Sequence, residues 1–124
     1  MAFEKAPDAL VAKFHAALPA DPLVERRNMF GYDAAFVNGN MFAGMWVDGC
    51  VVKLPASERA ALLREGALEF APIPGRVMKA FALLPASLMA EPEVLAAQLA
   101  RSLAYVATLP PKPKTKAATK KKAG

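Results

Sequence analysis

One histidine and one cysteine are the residues of this 124-residue chain that most readily serve as a base or a nucleophile. His15 lies at the border of the apolar face of a predicted helix, and nothing in the sequence pairs it with an acid or a thiol. We therefore expect a solvated residue or one at the rim of the core. Cys50 falls on the buried face of a predicted strand, where a thiol behaves as a small apolar group.

The sequence contains no recognisable motif for a metal, cofactor or nucleotide site. No His, Cys, Asp and Glu residues share the spacing of a metal site. The methionines have no histidine or thiolate beside them to complete a copper or haem site, and such side chains commonly fill gaps in a core. The segment FVNGNMFAG fails the spacing of both the dinucleotide fingerprint and the P-loop. The sequence thus predicts no catalytic residues, no metal and no cofactor.

The net charge of +5 is concentrated at the C-terminus. The final 13 residues contain no acid and six lysines: Lys112, Lys114, Lys116, Lys120, Lys121 and Lys122. Without them, residues 1–111 carry 10 basic and 11 acidic side chains. We predict a domain over residues 1–111 and a disordered tail over 112–124. The tail either only aids solubility or neutralises DNA phosphates without reading sequence, because it has neither arginine nor aromatic residues.

The targeting signals that sequence can show are missing from these residues. A lone cysteine forms no intramolecular disulfide, which suits a reducing compartment. The first ten residues, MAFEKAPDAL, lack the apolar run of a signal peptide, and no segment approaches the ~18 apolar residues of a membrane span. We expect a cytoplasmic protein without a membrane partner.

Apolar periodicity and turn residues predict the order α-β-β-β-α-β-β-α. Helices are expected over residues 7–18, over ASERAALLREG, and from Pro92 to about Leu109. The segments ALEFAPI and VMKAFALL are typical of two strands joined at Pro74-Gly75. A two-layer α+β fold, with an antiparallel five-stranded sheet and helices on one face, buries this pattern economically.

The first three strands are separated by Asn38-Gly39 and Asp48-Gly49, which favour tight hairpins. A straight register across both turns sorts the side chains onto two faces. The face predicted to lie under the helices is almost wholly apolar: Phe30, Tyr32, Ala34, Phe36, Met41, Ala43, Met45, Val47, Cys50, Val52 and Leu54. The other face is mixed: Gly31, Asp33, Ala35, Val37, Asn40, Phe42, Gly44, Trp46, Val51 and Lys53.

Four large apolar residues, Val37, Phe42, Trp46 and Val51, are thereby predicted on the sheet face away from the helices. Either the N-terminal segment or a loop covers them, or the aromatic rings lie flat on the sheet, or the four residues form a contact surface for a homodimer or a protein partner. The last interpretation draws on the energetic weight of aromatic residues at interfaces.

The stretch MFGYDAAFVNGNMFAGMWVDGCVVKL is similar to the signature of the TfoX/Sxy N-terminal domain family. Matching positions are Met29, Phe30, Gly31, Phe36, Gly39, Met41, Phe42 and Ala43. Further matches are VMKAFALLP, EPEVL and the closing YVATLPPK, so that the resemblance covers roughly residues 20–112. It departs from the family pattern at Tyr32-Asp33, where a second glycine is frequent, and at Arg76-Val77.

The resemblance implies a secretion-chaperone-like α+β fold and no recognised catalytic residues or cofactor. It also implies a regulatory role, since family members regulate natural competence with a cyclic-AMP receptor-type activator at promoters. Those regulators carry a second domain, in place of which this sequence has its lysine tail. The alternative is a small-molecule sensor or an enzyme with a pocket at the sheet edge, which a polar pocket around Asp33 or His15 would favour.

Overall fold

A computed structural model describes residues 6–29, 31–47, 49–72 and 75–111 of the chain. The helices are α1 (Asp8–Ala17), α2 (Ala56–Arg64), α3 (Ala86–Met89) and α4 (Pro92–Val106). The strands are β1 (Val24–Met29), β2 (Tyr32–Val37), β3 (Asn40–Trp46), β4 (Gly49–Lys53), β5 (Leu68–Glu69) and β6 (Phe81–Pro85). None of the described helices is long and apolar enough to cross a membrane. The boundary at residue 111 and the lysine tail stay predictions, because the tail lies outside the described residues.

All pairs in the sheet are antiparallel, in the order β1-β2-β3-β4-β6-β5. The predicted α+β class is confirmed, with six strands rather than five and with the short α3 added. The additional strand, β1, reads VERRNM and has too few apolar residues to show a period of two. It pairs with β2 from Val24↔Val37 to Met29↔Tyr32.

The helices pack on one face of the sheet and bury a single large core with it. Helix α4 places an apolar stripe against the sheet, with Leu95, Leu99, Leu103 and Val106 all buried. Gln98, which lies outside this stripe in the sequence, is buried as well. The reason is that α4 contacts α1 and α3 in addition to the sheet, which buries more of its circumference than one stripe.

The hairpin predicted at Asn38-Gly39 is confirmed, since both residues have positive φ and Val37 pairs with Asn40. The second turn lies one residue earlier than predicted, because Trp46 pairs with Gly49. A Cβ on Gly49 would lie 2.7 Å from the carbonyl oxygen of Leu84 on the neighbouring strand β6. Close approach of two strands, rather than turn geometry, therefore requires this glycine.

A bulge between β2 and β3 overturns part of the predicted face assignment. Phe36 pairs with Met41 as predicted, but Ala35 pairs with Ala43, which leaves Phe42 as an extra residue in β3. One extra residue shifts the register by one position. Beyond the bulge, residues of β2 and β3 that a straight register places on opposite faces therefore lie on the same face. Four residues predicted under the helices consequently face away from them: Tyr32, Ala34, Phe36 and Met41.

The prediction that Val37 and Phe42 belong to an exposed contact surface is wrong. Both side chains are fully buried in the core that the helices cover. Trp46 and Val51 do lie on the opposite face, which we call the outer face. Shifting the second turn changes the β3–β4 register by two residues, and an even shift moves no side chain to the other face.

Candidate functional site

The outer face carries a pocket of about 400 Å³. Strands β2, β3, β4 and β6 and the segment after β5 enclose it. Its lining residues are all apolar or aromatic: Tyr32, Ala34, Met41, Met45, Trp46, Val51, Phe70, Pro72, Met78 and Phe81. The volume falls within the range of about 300–1,000 Å³ that is typical of small-molecule sites.

Four aromatic rings form a continuous chain along the pocket. The ring centroids of Tyr32 and Trp46 lie 5.2 Å apart, and those of Trp46 and Phe70 lie 5.3 Å apart in an edge-to-face arrangement. Phe70 and Phe81 continue the chain at 6.1 Å. Such spacings are favourable for aromatic pairs, so the rings support one another around the cavity.

The segment that follows β5 builds one wall of the pocket. The N–H of Met78 donates to the carbonyl of Phe70 at 2.8 Å, and the N–H of Phe81 donates to the carbonyl of Met78 at 3.0 Å. These bonds satisfy backbone groups that would otherwise be costly to place against an apolar surface. Residues 73–74 of this segment lie outside the described residues.

Apolar and basic side chains border the pocket. Met78 lines the pocket and is 44% exposed, and Leu68 pairs with Leu83 on the same sheet face and is 52% exposed. Lys53 places its Nζ 5.7 Å from the ring centroid of Phe81, which lines the cavity. The rim therefore combines apolar contact area with positive charge.

Trp46 and Val51 differ in whether another segment of the chain covers them. Val51 is only 1% exposed because Phe70 and Phe81 pack against it, so a segment of the chain covers it. Trp46 is partly exposed and lies between Tyr32 and Phe70. Contact with a second copy or another protein at this face stays a prediction.

His15 has an acidic partner that its position in the sequence does not reveal. Its Nε2 lies 2.6 Å from Oδ2 of Asp33 on β2, and both side chains are about one third exposed. The other ring nitrogen, Nδ1, is buried and has no hydrogen-bond partner. This geometry is typical of a hydrogen-bonded pair at the rim of the core.

Cys50 is fully buried, as its position in the alternation predicts. Burial raises the pKa of its thiol from 9.0 to about 12, which keeps the thiol protonated at neutral pH. Among the residues that the structure describes, no group of three or more His, Cys, Asp and Glu side chains could hold a metal ion.

The pocket is the feature that sequence reasoning missed. The bulge at Phe42 places Tyr32, Ala34 and Met41 on the pocket side of the sheet, and Phe70, Pro72 and Met78 form one wall. The sequence signal for this wall is the apolar character of Phe70, Pro72 and Met78 around Pro74-Gly75, although their pattern predicts two strands.

Fold and site together define a two-layer α+β domain with helices on one sheet face and an apolar pocket on the other. The family model of the TfoX N-terminal domain matches residues 16–106, so the chain belongs to the TfoX N-terminal domain family. This confirms the resemblance drawn from the sequence. A comparison with curated proteins finds no match.

Proposed function

We propose that this domain works by binding rather than by catalysis, and that the pocket on its outer face is the recognition site. The observation that carries the proposal is the cavity of about 400 Å³ with its apolar lining. The lining contains no histidine, cysteine or carboxylate that could act as a base or a nucleophile. The pocket can therefore bind a molecule tightly, but its lining provides no such group to catalyse a reaction.

The role of such binding would be regulatory, in transcription or DNA competence within the cytoplasm. Support comes from membership of the TfoX N-terminal domain family, because the resemblance implies control of competence at promoters. In this scheme the occupied pocket changes which partners the domain contacts. The lysine tail would add non-specific contacts to DNA phosphates.

A second candidate function is direct contact with a protein through the rim of the pocket. It is favoured by Leu68, which pairs with Leu83 on the outer face and is 52% exposed, and by Met78, which lines the pocket and is 44% exposed. Exposed apolar patches of this kind mark interaction sites. A second copy of this chain or another protein would cover them.

Binding in the pocket is tested with Nile red, an uncharged dye that fluoresces in apolar surroundings. Ala34 is 2% exposed and lines the cavity, so Ala34→Phe places a ring in the space that the dye would occupy. We expect wild type to raise the emission of the dye and Ala34→Phe to lose most of that rise. Ala12→Phe adds the same ring at an exposed position on α1 and should bind like wild type.

Phe70→Ala provides a second variant in case Ala34→Phe does not fold. Phe70 belongs to the smaller cluster on the outer face, not to the core beneath the helices, so its loss leaves that core intact. We expect weaker dye binding with an unchanged far-UV circular dichroism spectrum. Equal dye binding by wild type and by the folded pocket variants would rule out the pocket as the recognition site.

A further inference from the structure

We propose that the ligand of the pocket is an amphipathic carboxylate, with an aliphatic or aromatic body inside the cavity and its carboxylate at the mouth, bound by Lys53. This inference rests on the proposed function and adds the chemical class of the ligand. Three observations support it: the apolar lining of the pocket, the position of Lys53 beside Phe81, and the basic side chains on either side of Met78 in the sequence.

The lining selects an apolar body. Phe70, Phe81 and Trp46 surround the cavity together with methionine, valine and proline side chains. A molecule that is polar along its length would lose hydrogen bonds to water there without replacing them, at a cost of about 1–3 kcal/mol for each group. The flexible thioethers of Met41 and Met78 can adjust to bodies of different shape.

Lys53 provides a cation at the border of this cavity. It pairs with Phe81 across β4 and β6, and its Nζ lies 5.7 Å from the centroid of that ring. Among the residues that the structure describes, it forms no ion pair. An ammonium group beside an apolar cavity, without an anion of its own, is suited to bind the carboxylate of a ligand.

Residues 70–80, which include the pocket-lining Met78, carry basic but no acidic side chains in the sequence. Arg76 and Lys79 stand on either side of Met78 in the wall segment, and both are exposed. No aspartate or glutamate occurs between residues 70 and 90. Glu69, at the start of the segment, has its carboxylate 3.9 Å from the guanidinium of Arg59. Basic side chains beside Met78 in the sequence therefore favour an anion over a cation near this wall of the pocket.

Another cation of the outer face is already occupied. Arg27 stacks 4.6 Å above the ring of Phe36 and contacts the carboxylate of Glu25 at 3.1 Å. By contrast, the backbone of Lys53 is held from the helix side by Ser102, which leaves its side chain free to extend over Phe81. The geometry thus assigns the anion contact to Lys53.

The test compares decanoate, decanol and decylamine, which share one body and differ in the head group. Displacement of Nile red from the full chain reports their affinities, and the emission of the lone Trp46 in the pocket gives an independent signal. We expect decanoate to bind roughly tenfold more tightly than decanol, and decylamine to bind most weakly. Lys53→Met keeps most of the aliphatic stem and should remove the preference for decanoate while leaving decanol unchanged.

Arg101→Met is the matched control, because it removes one positive charge from an exposed position on α4. It should keep the preference of wild type. Equal affinities of wild type for decanoate and decanol, or an unchanged preference in Lys53→Met, would overturn the carboxylate inference while the binding function stands. Failure of wild type to bind both Nile red and decanol would instead refute the proposed function itself.

Discussion

The hydroxyl of Ser102 on α4 lies 2.5 Å from the carbonyl oxygen of Phe42 on β3. Phe42 is the extra residue of the bulge between β2 and β3, and the ladder between β3 and β4 ends at the neighbouring pair Ala43↔Val52. The same hydroxyl lies 2.8 Å from the carbonyl of Lys53 and accepts the N–H of Lys53 at 3.2 Å. One helix side chain thus contacts backbone groups of both strands at the end of their ladder.

This contact joins the core to the pocket. The bulge sends Phe42 into the core and Met41 toward the outer face, and Ser102 stabilises that arrangement from the helix side. It also positions the backbone of Lys53, whose side chain extends over Phe81 on the opposite face.

Ser102→Ala should lower the free energy of unfolding by about 1–3 kcal/mol, because a buried carbonyl and a backbone N–H lose their partner. Thr108→Ala is the control, since Thr108 also bonds a carbonyl, that of Tyr105, but at an exposed site. Urea unfolding followed by circular dichroism measures both. A loss for Ser102→Ala no larger than that for Thr108→Ala would contradict the bridging role.

Cys50 should resist thiol reagents in the folded protein at pH 8 and react fully once the protein is unfolded by urea. The pKa of the folded thiol, about 12, exceeds the ordinary value of 9.0. Between those values the folded state keeps a proton that the unfolded state releases, so stability falls as the pH rises above 9. The measurement is the rate of labelling by a chromogenic disulfide reagent, where rapid labelling without urea would contradict the burial.

Comparison with Cys50→Ala isolates the loss of stability that the titration of Cys50 causes above pH 9. Wild type should lose stability relative to Cys50→Ala by up to about 1.4 kcal/mol for each pH unit above 9, until the folded thiol also ionises. Urea unfolding at several pH values gives the difference, in which the titration of lysines and tyrosines largely cancels. A constant difference from pH 8 to pH 11 would show that Cys50 does not titrate with a raised pKa.

Removal of residues 112–124 should abolish the retention of the protein on DNA at low salt. Without its six lysines the remaining chain carries 10 basic and 11 acidic side chains, which leaves no excess positive charge to replace counterions. Fluorescence anisotropy of a labelled duplex measures the affinity. For the full chain the affinity should fall steeply with salt and should not depend on base sequence. Equal affinity of the truncated chain would reject the DNA-binding interpretation of the tail.

Met78→Asp should weaken any self-association through the rim of the pocket. Met78 is 44% exposed on the outer face, and a charge there would have to be buried in the contact. Val94→Asp is the matched control, because Val94 is 43% exposed on α4. Light scattering after size exclusion should show a mass that rises with concentration for wild type and Val94→Asp but not for Met78→Asp. A wild type that stays monomeric throughout would remove the homodimer interpretation.

Local signals in the sequence predicted much of the fold. The helices at residues 8–17, 56–64 and 92–106 follow from apolar spacing, and the hairpin at Asn38-Gly39 follows from residues that tolerate positive φ. Alternation along the strand also predicted the burial of Cys50. The prediction holds although the β3–β4 register differs, because a shift of two residues leaves every side chain on its face. These features depend on neighbouring residues alone.

The pocket and the pair of His15 and Asp33 could not be predicted in the same way. A bulge is a local irregularity that alternation does not show, and the bulge at Phe42 moved four apolar residues to the outer face. His15 and Asp33 lie 18 positions apart and meet only because α1 packs against the sheet. Phe70 contacts Trp46 from the segment after β5. Isolated backbone hydrogen bonds hold this segment, and such bonds have no sequence periodicity from which the contact could be predicted.

The sequence by itself determined the class of fold, the family and the absence of excess charge from residues 1–111, since periodicity, motif and composition need no coordinates. Only the tertiary structure decided which apolar residues form the core and which form the pocket. The physical reason is that both faces of the sheet are apolar, so hydrophobicity alone does not distinguish them. A single bulged residue, whose carbonyl contacts Ser102, determines the sheet face on which β2 and the start of β3 place their large side chains.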